Sequence, residues 1–480
     1  MVGSSPKSSN RPSFWKTRSG KARLIWPFVL PAALFLAAIV VGAFLLSLNW
    51  THADAPVAFV DALFISTSCV CVTGLGTVDI STVFNTNGHL VMMVLMQLGG
   101  LGITTYGSLF LYLFTRRVFL SDRLAVGQAL LHDQSFHLGR FLTRIVVVVF
   151  SIELAGMIAL CLLAPDHIDV FSAAFLAISA FCNCGFALWT SNLEAFRLDI
   201  GVNTVVMVLI TVGGIGFAVI DEVQRCIVAG AKKNVSRLRG IPSRPVQPLS
   251  FSSRMALSTS AFLVFGGAFC IFLAEYFVNT EAFFHPGDVI LPSLFQSVTC
   301  RTAGFNTVGI GQLTDLTLLV MIGLMFIGGS AGSCAGGIKT SGFRVLVGFC
   351  AASFRGRSQV LVGNRAVSRS DLSKVFTLVI FSLLTLIAGV FILTLTEGGV
   401  THVHGKTPFQ VLDIAFEAVS AFATVGLTTG LTPELSTPGK LVVSALMYIG
   451  RLGPIWLITM MQKFQPEVLY RVPEGVIPIG

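Results

Sequence analysis

Four glycines recur along the sequence at intervals of about 110 to 120 residues, each closing a similar short segment. The segments end in Val72, Thr73 and Gly74; in Asn183, Cys184 and Gly185; in Thr302, Ala303 and Gly304; and in Thr424, Val425 and Gly426. Glycine lets a backbone turn its carbonyl groups toward one point without a clash from Cβ. A ring of such carbonyls can replace the water shell of a dehydrated cation. The four segments are therefore candidates for the lining of one cation site.

Each glycine segment follows an apolar stretch of about a dozen residues, which is too short to cross a bilayer. Such a stretch predicts a half-helix followed by irregular backbone, which membranes tolerate only where it lines a water-filled cavity. The C-terminus of each half-helix would also place partial negative charge near a cation. Glycines that only allow helices to pack closely are the alternative. Four glycines in register after half-helices favour the filter interpretation.

A second set of glycines follows each segment, in LGGLG (98–102), VGGIG (212–216), IGGSAG (327–332) and IGRLG (449–453). Arg451 stands where the other three motifs have Gly100, Gly214 and Gly329. A guanidinium inside a membrane helix costs several kcal/mol, about 2.5 to 3.5 by insertion scales, so it calls for a functional or a structural partner. The third motif opens the sequence GGSAGSCAGGIKT (328–340), whose glycines will not hold a straight helix.

The composition identifies a polytopic membrane protein. Of 480 residues, 54% are hydrophobic and 11% are charged, and the mean hydropathy is +0.82. These values exclude an ordinary soluble domain. Eight apolar stretches are long enough to span a bilayer. They lie at 24–48, 89–115, 144–164, 202–220, 255–278, 316–346, 373–396 and 438–461.

Basic segments alternate with the predicted spans, beginning with a 23-residue N-terminus that has six Lys or Arg and no acid. By the positive-inside rule, both termini are then cytoplasmic in a multi-pass protein of the cell membrane. The regular alternation argues against nucleic-acid binding. Anionic lipid or a partner protein is the expected contact of the basic loops near 231–244 and 355–369. The C-x-C pairs Cys69/Cys71 and Cys182/Cys184 leave a metal site or a disulfide open, although buried cysteine commonly behaves as a small apolar residue.

The predicted fold is all-α, with four pseudo-symmetric repeats of span, half-helix loop and span around one central pore. The repeats cover 24–115, 141–229, 251–346 and 372–463, between a cytoplasmic N-terminus at 1–23 and a cytoplasmic tail at 464–480. There is no Walker A motif in a strand–turn–helix context and no hydrolytic constellation, so the chain is not expected to be an enzyme or to hold a cofactor.

The motifs QSVTCRTAGFNT, MFIGGSAGSCAGGIKTSGF, SAFATVGLTTGLTPELSTPGK and IGRLGP occur in this order. In them the chain resembles the Trk/Ktr/HKT superfamily of potassium transporters, and it is most similar to the KtrB-type membrane subunits. The resemblance implies K+ as the transported ion, with glycine at all four filter positions. It also implies a homodimer, a cytosolic nucleotide-binding ring of KtrA type as regulator, and Na+ as a candidate activator.

The resemblance further implies that the intramembrane loop 328–337 is a gate and that Arg451 faces the pore beside it. The gate residues would be Gly328, Gly329, Ser330, Gly332, Ser333, Gly336, Gly337 and Arg451. The loop departs from the family pattern SPGS at Ala331, Cys334 and Ala335, which leaves its gating behaviour open.

Three alternatives stay open at this point. Arg451 could pack against a buried acid such as Glu153 or a carbonyl group, and Glu153 itself could have a structural role. The loop could be a kinked packing helix. The transporter could be a secondary symporter coupled to Na+ or H+, since broken helices with midplane sites occur in such proteins as well.

Overall fold

The computed structural model describes residues 32–53, 55–102, 138–238, 248–278, 287–397 and 410–453. These residues are mostly helical and include one two-stranded antiparallel hairpin, β1 (Leu361–Val362) and β2 (Arg365–Ala366). The expectation of a helical chain is confirmed. The basic N-terminus at 1–23, the end of the first repeat at 103–115 and the tail at 464–480 lie outside the described residues.

Four outer helices open the four units of the chain: α1 (Ala32–Leu46), α5 (Leu138–Leu163), α9 (Phe251–Val278) and α13 (Arg369–Glu397). Among the described residues, Thr143–Leu163, Phe251–Val278 and Arg369–Glu397 are long and apolar enough to cross a membrane. Large apolar side chains such as Phe262 and Phe265 point outward from α9 and are more than half exposed. An outward apolar face of this kind suits contact with lipid tails.

Four short helices follow, which we call pore helices after the predicted pore: α2 (Phe59–Cys71), α6 (Val170–Cys182), α10 (Gly287–Thr299) and α14 (Val411–Ala423). Each has 13 residues, or about 20 Å of helix, against a hydrocarbon core of about 30 Å. Their C-terminal parts are buried inside the protein, and Phe64, Phe175, Phe295 and Phe416 are fully shielded from solvent. The predicted half-helices are therefore present and end within the protein.

Four inner helices return from the pore helices: α4 (Thr86–Leu101), α7 (Ile200–Ile215), α11 (Asp315–Phe326) and α15 (Thr437–Leu452). Each begins at a polar N-cap whose side chain accepts a backbone N–H, the caps being Asn85, Asp199, Thr314 and Ser436. Such caps satisfy N–H groups that lack a partner within the helix. Three inner helices end at a glycine with positive φ, at Gly102, Gly216 and Gly453.

Two inner helices are broken. After Gly216 the chain bends by 109° into α8 (Phe217–Leu238), so the apolar stretch predicted at 202–220 is not one straight helix. The break has a local cause, because Gly216 has φ +108, which other residues rarely adopt. After α11 the chain leaves helical conformation and resumes helix only in α12 (Thr340–Phe354). A short α3 (Ile80–Val83) completes the helices of the described residues.

The fourth unit packs against the first. Nζ of Lys440 on α15 lies 2.6 Å from a carboxylate oxygen of Asp61 on α2, and both side chains are largely buried. The hydroxyl of Tyr448 donates to the carbonyl of Ala32, at 2.8 Å. The two ends of the described chain therefore meet, and the units form a closed arrangement.

Candidate ion filter and gate

The C-terminus of each pore helix has an unusual backbone. Val72, Asn183, Thr302 and Thr424 have φ values of 57, 61, 70 and 53. The left-handed region costs an ordinary residue about 1–2 kcal/mol, and β-branched residues such as valine and threonine are rare there. Two residues later, Gly74, Gly185, Gly304 and Gly426 again have positive φ. Strain repeated at four corresponding positions indicates a function, since folding alone would not keep it.

Hydrogen bonds to residues of the pore helices hold two of these turns. The amide of Thr73 donates to the carbonyl of Ser68, and the amide of Gly74 donates to the Ser68 hydroxyl at 2.9 Å. Val425 and Gly426 make the same two bonds to Ser420. A serine six residues before the glycine thus fixes the turn in the first and fourth units.

The second and third turns lack the hydroxyl bond to the glycine amide, although the amide of Cys184 donates to the carbonyl of Ser179 as in the first and fourth units. In the second unit the side-chain amide of Asn192 donates to the carbonyl of Gly185 at 3.1 Å. In the third unit Val298 replaces the serine, and the hydroxyl of Thr299 donates to the carbonyl of Phe305 at 2.7 Å. The four turns share a backbone conformation but not the same supporting bonds.

The four glycines form a closed ring, in which each packs against the next unit. A Cβ added at Gly74 would overlap the carbonyl oxygen of Cys184, and one at Gly426 would overlap that of Thr73. A Cβ at Gly185 would lie 2.7 Å from the Ala303 oxygen, and one at Gly304 would overlap the Val425 oxygen. Only glycine fits at these four places. The structure thus brings together all four glycine segments that the sequence analysis selected.

Three threonine hydroxyls at the ring have no partner. Thr73, Thr302 and Thr424 are fully buried, and their hydroxyl oxygens accept and donate no hydrogen bond within the described part of the chain. Buried polar groups are almost always satisfied, so each of these hydroxyls calls for a ligand or water. Oxygen atoms are the ligands that hard cations prefer.

The loop between α11 and α12 lies against the break in the second inner helix. Ser330 donates its amide to the carbonyl of Gly214 at 2.9 Å, and Phe217 donates its amide to the carbonyl of Gly332 at 2.9 Å. Within the loop the Ser333 hydroxyl donates to the Ser330 carbonyl at 2.7 Å. Gly332 and Gly337 have positive φ, which explains why the stretch is not helical. All predicted gate residues of this loop lie in the one irregular segment.

Arg451 bridges the loop and the first inner helix. Its Nη1 donates to the carbonyl of Cys334 and its Nη2 donates to the carbonyl of Gly99. Glu153 instead accepts from the side-chain amide of Gln97 at 3.1 Å. The structure therefore brings Arg451 to the predicted gate loop, and its partners are two backbone carbonyls.

The cysteines near the ring do not form a metal site in the described residues. All ten are free thiols, and no group of three or more His, Cys, Asp or Glu side chains in the described ranges has the arrangement of a metal site. Cys69, Cys71, Cys182 and Cys184 are fully buried and pack with the apolar core.

A model of the TrkH cation transport proteins matches residues 32–468 of the sequence. The chain belongs to the TrkH family of cation transport proteins. It is 35% identical to the Ktr system potassium uptake protein B of Bacillus subtilis, over 95% of this chain and 96% of the relative. It is 34% identical to the protein of the same name from Vibrio alginolyticus, over 97% and 96% of the two chains.

Two further comparisons agree with this assignment. The potassium/sodium uptake protein NtpJ of Enterococcus hirae is 31% identical over 95% of this chain and 97% of the relative. The crystal structure of the potassium transporter TrkH from Vibrio parahaemolyticus superimposes with a TM-score of 0.65, at 17% identity, over 96% of this chain and 88% of that chain. The latter similarity shows a common fold. Family membership places the chain among cation transport proteins of the membrane and not among enzymes.

Sequence reasoning missed Glu417, a buried acid of this TrkH-family chain. Glu417 is fully shielded on α14, and one carboxylate oxygen accepts from the hydroxyl of Thr432 while the other is unpaired among the described residues. Aligning the four glycines would have found it. The residue nine positions before the glycine is apolar and fully buried in the other units, as Ile65, Leu176 and Phe295.

Arg301 was also missed, although it lies within a quoted motif of the third segment. It is 8% exposed and three positions before Gly304, where the other units have Cys71, Cys182 and Ala423. A comparison between units would have revealed Arg301 as well, since only the third unit has a charged residue at this position.

Proposed function

We propose that the chain is the pore-forming subunit of a potassium uptake system and conducts K+ by a channel-like route. The closed ring of Gly74, Gly185, Gly304 and Gly426 carries the proposal, because it allows four backbone segments to approach one axis. The names of the Bacillus and Vibrio relatives, both potassium uptake proteins of a Ktr system, support K+ as the substrate.

The proposed filter exchanges the water shell of K+ for protein oxygen. Carbonyl groups of the segments 72–74, 183–185, 302–304 and 424–426 surround the ion. Thr73, Thr302 and Thr424 of these segments have unpaired hydroxyls, which are further candidate oxygen ligands. The pore helices direct their C-terminal ends, with partial negative charge, toward the ring. Since the ring is built from backbone, it stays neutral and allows the ion to leave as well as to enter.

The proposed gate is the loop 328–337 together with Arg451. The loop carbonyl of Cys334 accepts from the Arg451 guanidinium, which also holds the end of α4 through Gly99. Arginine stays protonated, so it places a fixed positive charge on the cytoplasmic side of the filter. That charge opposes cation flow, and release of the loop lowers the barrier.

Regulation and assembly belong to the same proposal. The Bacillus and Vibrio relatives are named as proteins of a Ktr system, which supports a complex with further subunits. In this proposal the chain forms a homodimer in the cell membrane. The dimer binds a cytosolic nucleotide-binding ring of KtrA type and contacts membrane lipid. The potassium/sodium name of the Enterococcus relative favours a role of Na+, as activator or as coupled ion.

Uptake of Rb+ into vesicles that contain the purified protein tests the function. Block of uptake by K+ and not by Na+ is expected if carbonyl rings select the ion. Equal competition by Na+ would contradict K+ selectivity. An obligatory counter-flux or co-flux of Na+ or H+ with each Rb+, measured under matched gradients, would replace the channel-like route by a coupled symporter.

A further inference from the structure

In three of the four units the inner helix touches the end of its own pore helix through backbone. A Cβ added at the first glycine of the pair would overlap a carbonyl oxygen four residues before the filter glycine. The pairs are Gly99 with Val70, Gly213 with Phe181, and Gly450 with Phe422. Movement of the inner helix in these units is therefore transmitted directly to the filter turn.

The third unit lacks this contact. Gly328 holds the corresponding place, but a Cβ there would meet the carbonyl of Gly336 and the Cα of Gly337, which belong to the loop itself. Gly336 in turn packs against the backbone of Ala423 and the hydroxyl of Thr424, which are part of the fourth filter segment. The loop thus separates the third inner helix from its own pore helix.

Arg301 bridges this separation. Its Nη2 donates to the carbonyl of Gly328 at 3.4 Å, and its Nε is buried without a partner among the described residues. Arg301 lies three residues before Gly304 and two residues after the end of α10. The side chain therefore joins the third filter turn to the first residue of the loop.

None of the ion pairs among the described residues involves Arg301. A small cavity beside it is lined by residues of α7, α9 and the third pore segment, namely Ile210, Thr211, Gly214, Val264 and Val298. No acid is among them. A buried cation with one long hydrogen bond is costly, and an apolar side chain of similar volume would often stabilise the protein more. The position is occupied by a charge only in the unit that has the loop.

We propose that Arg301 is a positioning residue that couples the third filter turn to the gate loop. It holds the start of the loop at Gly328, while Arg451 holds the far part at Cys334. Two arginines, one from the filter side and one from the fourth inner helix, thus fix the loop beneath the ring. The inference rests on the proposed pore and gate and adds the residue that links them.

Replacement of Arg301 by Gln or Met tests the coupling. Arg254→Gln, which removes an exposed arginine on α9, is the matched control. The first readout is the labelling rate of Cys334 by a maleimide, followed by peptide mass spectrometry. Cys334 is 1% exposed, and the exposed Cys350 serves as an internal reference. The second readout is the initial rate of Rb+ uptake with and without competing Na+.

Both neutral variants are expected to raise the Cys334 labelling rate and the uptake rate about three- to tenfold, because a charge-assisted hydrogen bond to the loop is lost. Competition by Na+ should not change. Arg301→Lys, which keeps the charge but has a single donor group, should give intermediate rates. Met is apolar, as are most residues that line the cavity beside Arg301. Arg301→Met therefore keeps the test valid if the Gln variant fails to fold.

Two results would overturn the coupling. The first is that the Arg301 variants have the same Cys334 labelling rate and the same Rb+ uptake rate as Arg254→Gln. The other is a change in Na+ competition without faster labelling, which would make Arg301 a filter residue that does not act on the loop. Absence of Rb+ uptake in the unmodified protein, also after addition of a KtrA-type nucleotide-binding ring, would instead reject the pore. The labelling experiment does not depend on transport, so the two failures are distinguishable.

Discussion

The glycine ring and the layer beneath it are built from the same four units but differ in symmetry. In the ring each unit contributes one glycine with positive φ, and each glycine packs against the carbonyl of the next unit. In the layer beneath, the ends of the inner helices contribute Gly100, Gly214, the loop after Gly328, and Arg451. The proposed ion site benefits from four equal sides. The proposed gate needs one side that can move.

The difference is also one of chemistry. The ring is held by backbone packing and by hydrogen bonds that its amides donate to pore-helix residues such as Ser68 and Ser420. The loop is held by single hydrogen bonds to the break between α7 and α8 and by two arginine side chains. Side-chain contacts can be released one at a time, whereas a ring of interlocked glycines changes as a whole. The comparison makes four predictions.

The largest effect is expected in the ring. Gly426→Ala places a Cβ on the carbonyl of Thr73 at a residue with φ +97. The change should abolish uptake or reduce the preference for Rb+ over Na+ by about tenfold or more, because the oxygen ring is displaced. Gly323→Ala is the control, since its Cβ would meet no atom within 4 Å. Preserved selectivity in the Gly426 variant would show that the glycines serve helix packing only.

A smaller effect, of a different kind, is expected from Arg451→Gln. The loop loses the charged donor to Cys334, and a charge-assisted hydrogen bond contributes about 1.5–3 kcal/mol. Rb+ uptake should therefore rise about tenfold at unchanged Na+ competition, measured in vesicles beside Arg254→Gln. An unchanged rate would assign Arg451 to packing and remove it from the gate.

Gly216→Ala tests the contact between the second break and the loop. Its Cβ would lie 2.7 Å from the carbonyl of Ala331, at a residue with φ +108. The loop must shift, so uptake should change about two- to fivefold while selectivity is kept. Gly230→Ala on the same α8 has no atom within 4 Å of the new Cβ and should behave as the unmodified protein. A selectivity change in the Gly216 variant would argue that ring and loop are not separate layers.

The smallest effect concerns closure of the ring. Lys440→Gln leaves Asp61 without its ion pair at the junction of the fourth and first units. Because both side chains are largely buried, the free energy of unfolding should fall by about 1–3 kcal/mol, seen as a lower Tm in detergent. Lys374→Gln removes an exposed pair with Asp371 and should cost less than about 0.5 kcal/mol. Equal Tm values for both variants would mean that this junction does not hold the ring.

Comparison between repeats shows how far a single sequence reaches. Recurrence of the glycines located the four half-helices and the irregular loop, because both follow from local rules on length and on backbone freedom. The same comparison, applied to every position, would have identified Glu417 and Arg301. Both lie at positions where three units have uncharged residues and one unit has a charge.

The sequence by itself determined that the chain is helical, that four short helices end in glycine turns, and that the third inner helix is interrupted. These are properties of single segments, set by hydropathy, length and the φ that each residue allows. Only the tertiary structure decided the order in which the glycines close the ring, the 109° bend after Ile215, and the carbonyl partners of Arg451 and Arg301. Arg451 and its partner Gly99, for example, are 352 positions apart. They arise from packing between units, which no local pattern encodes.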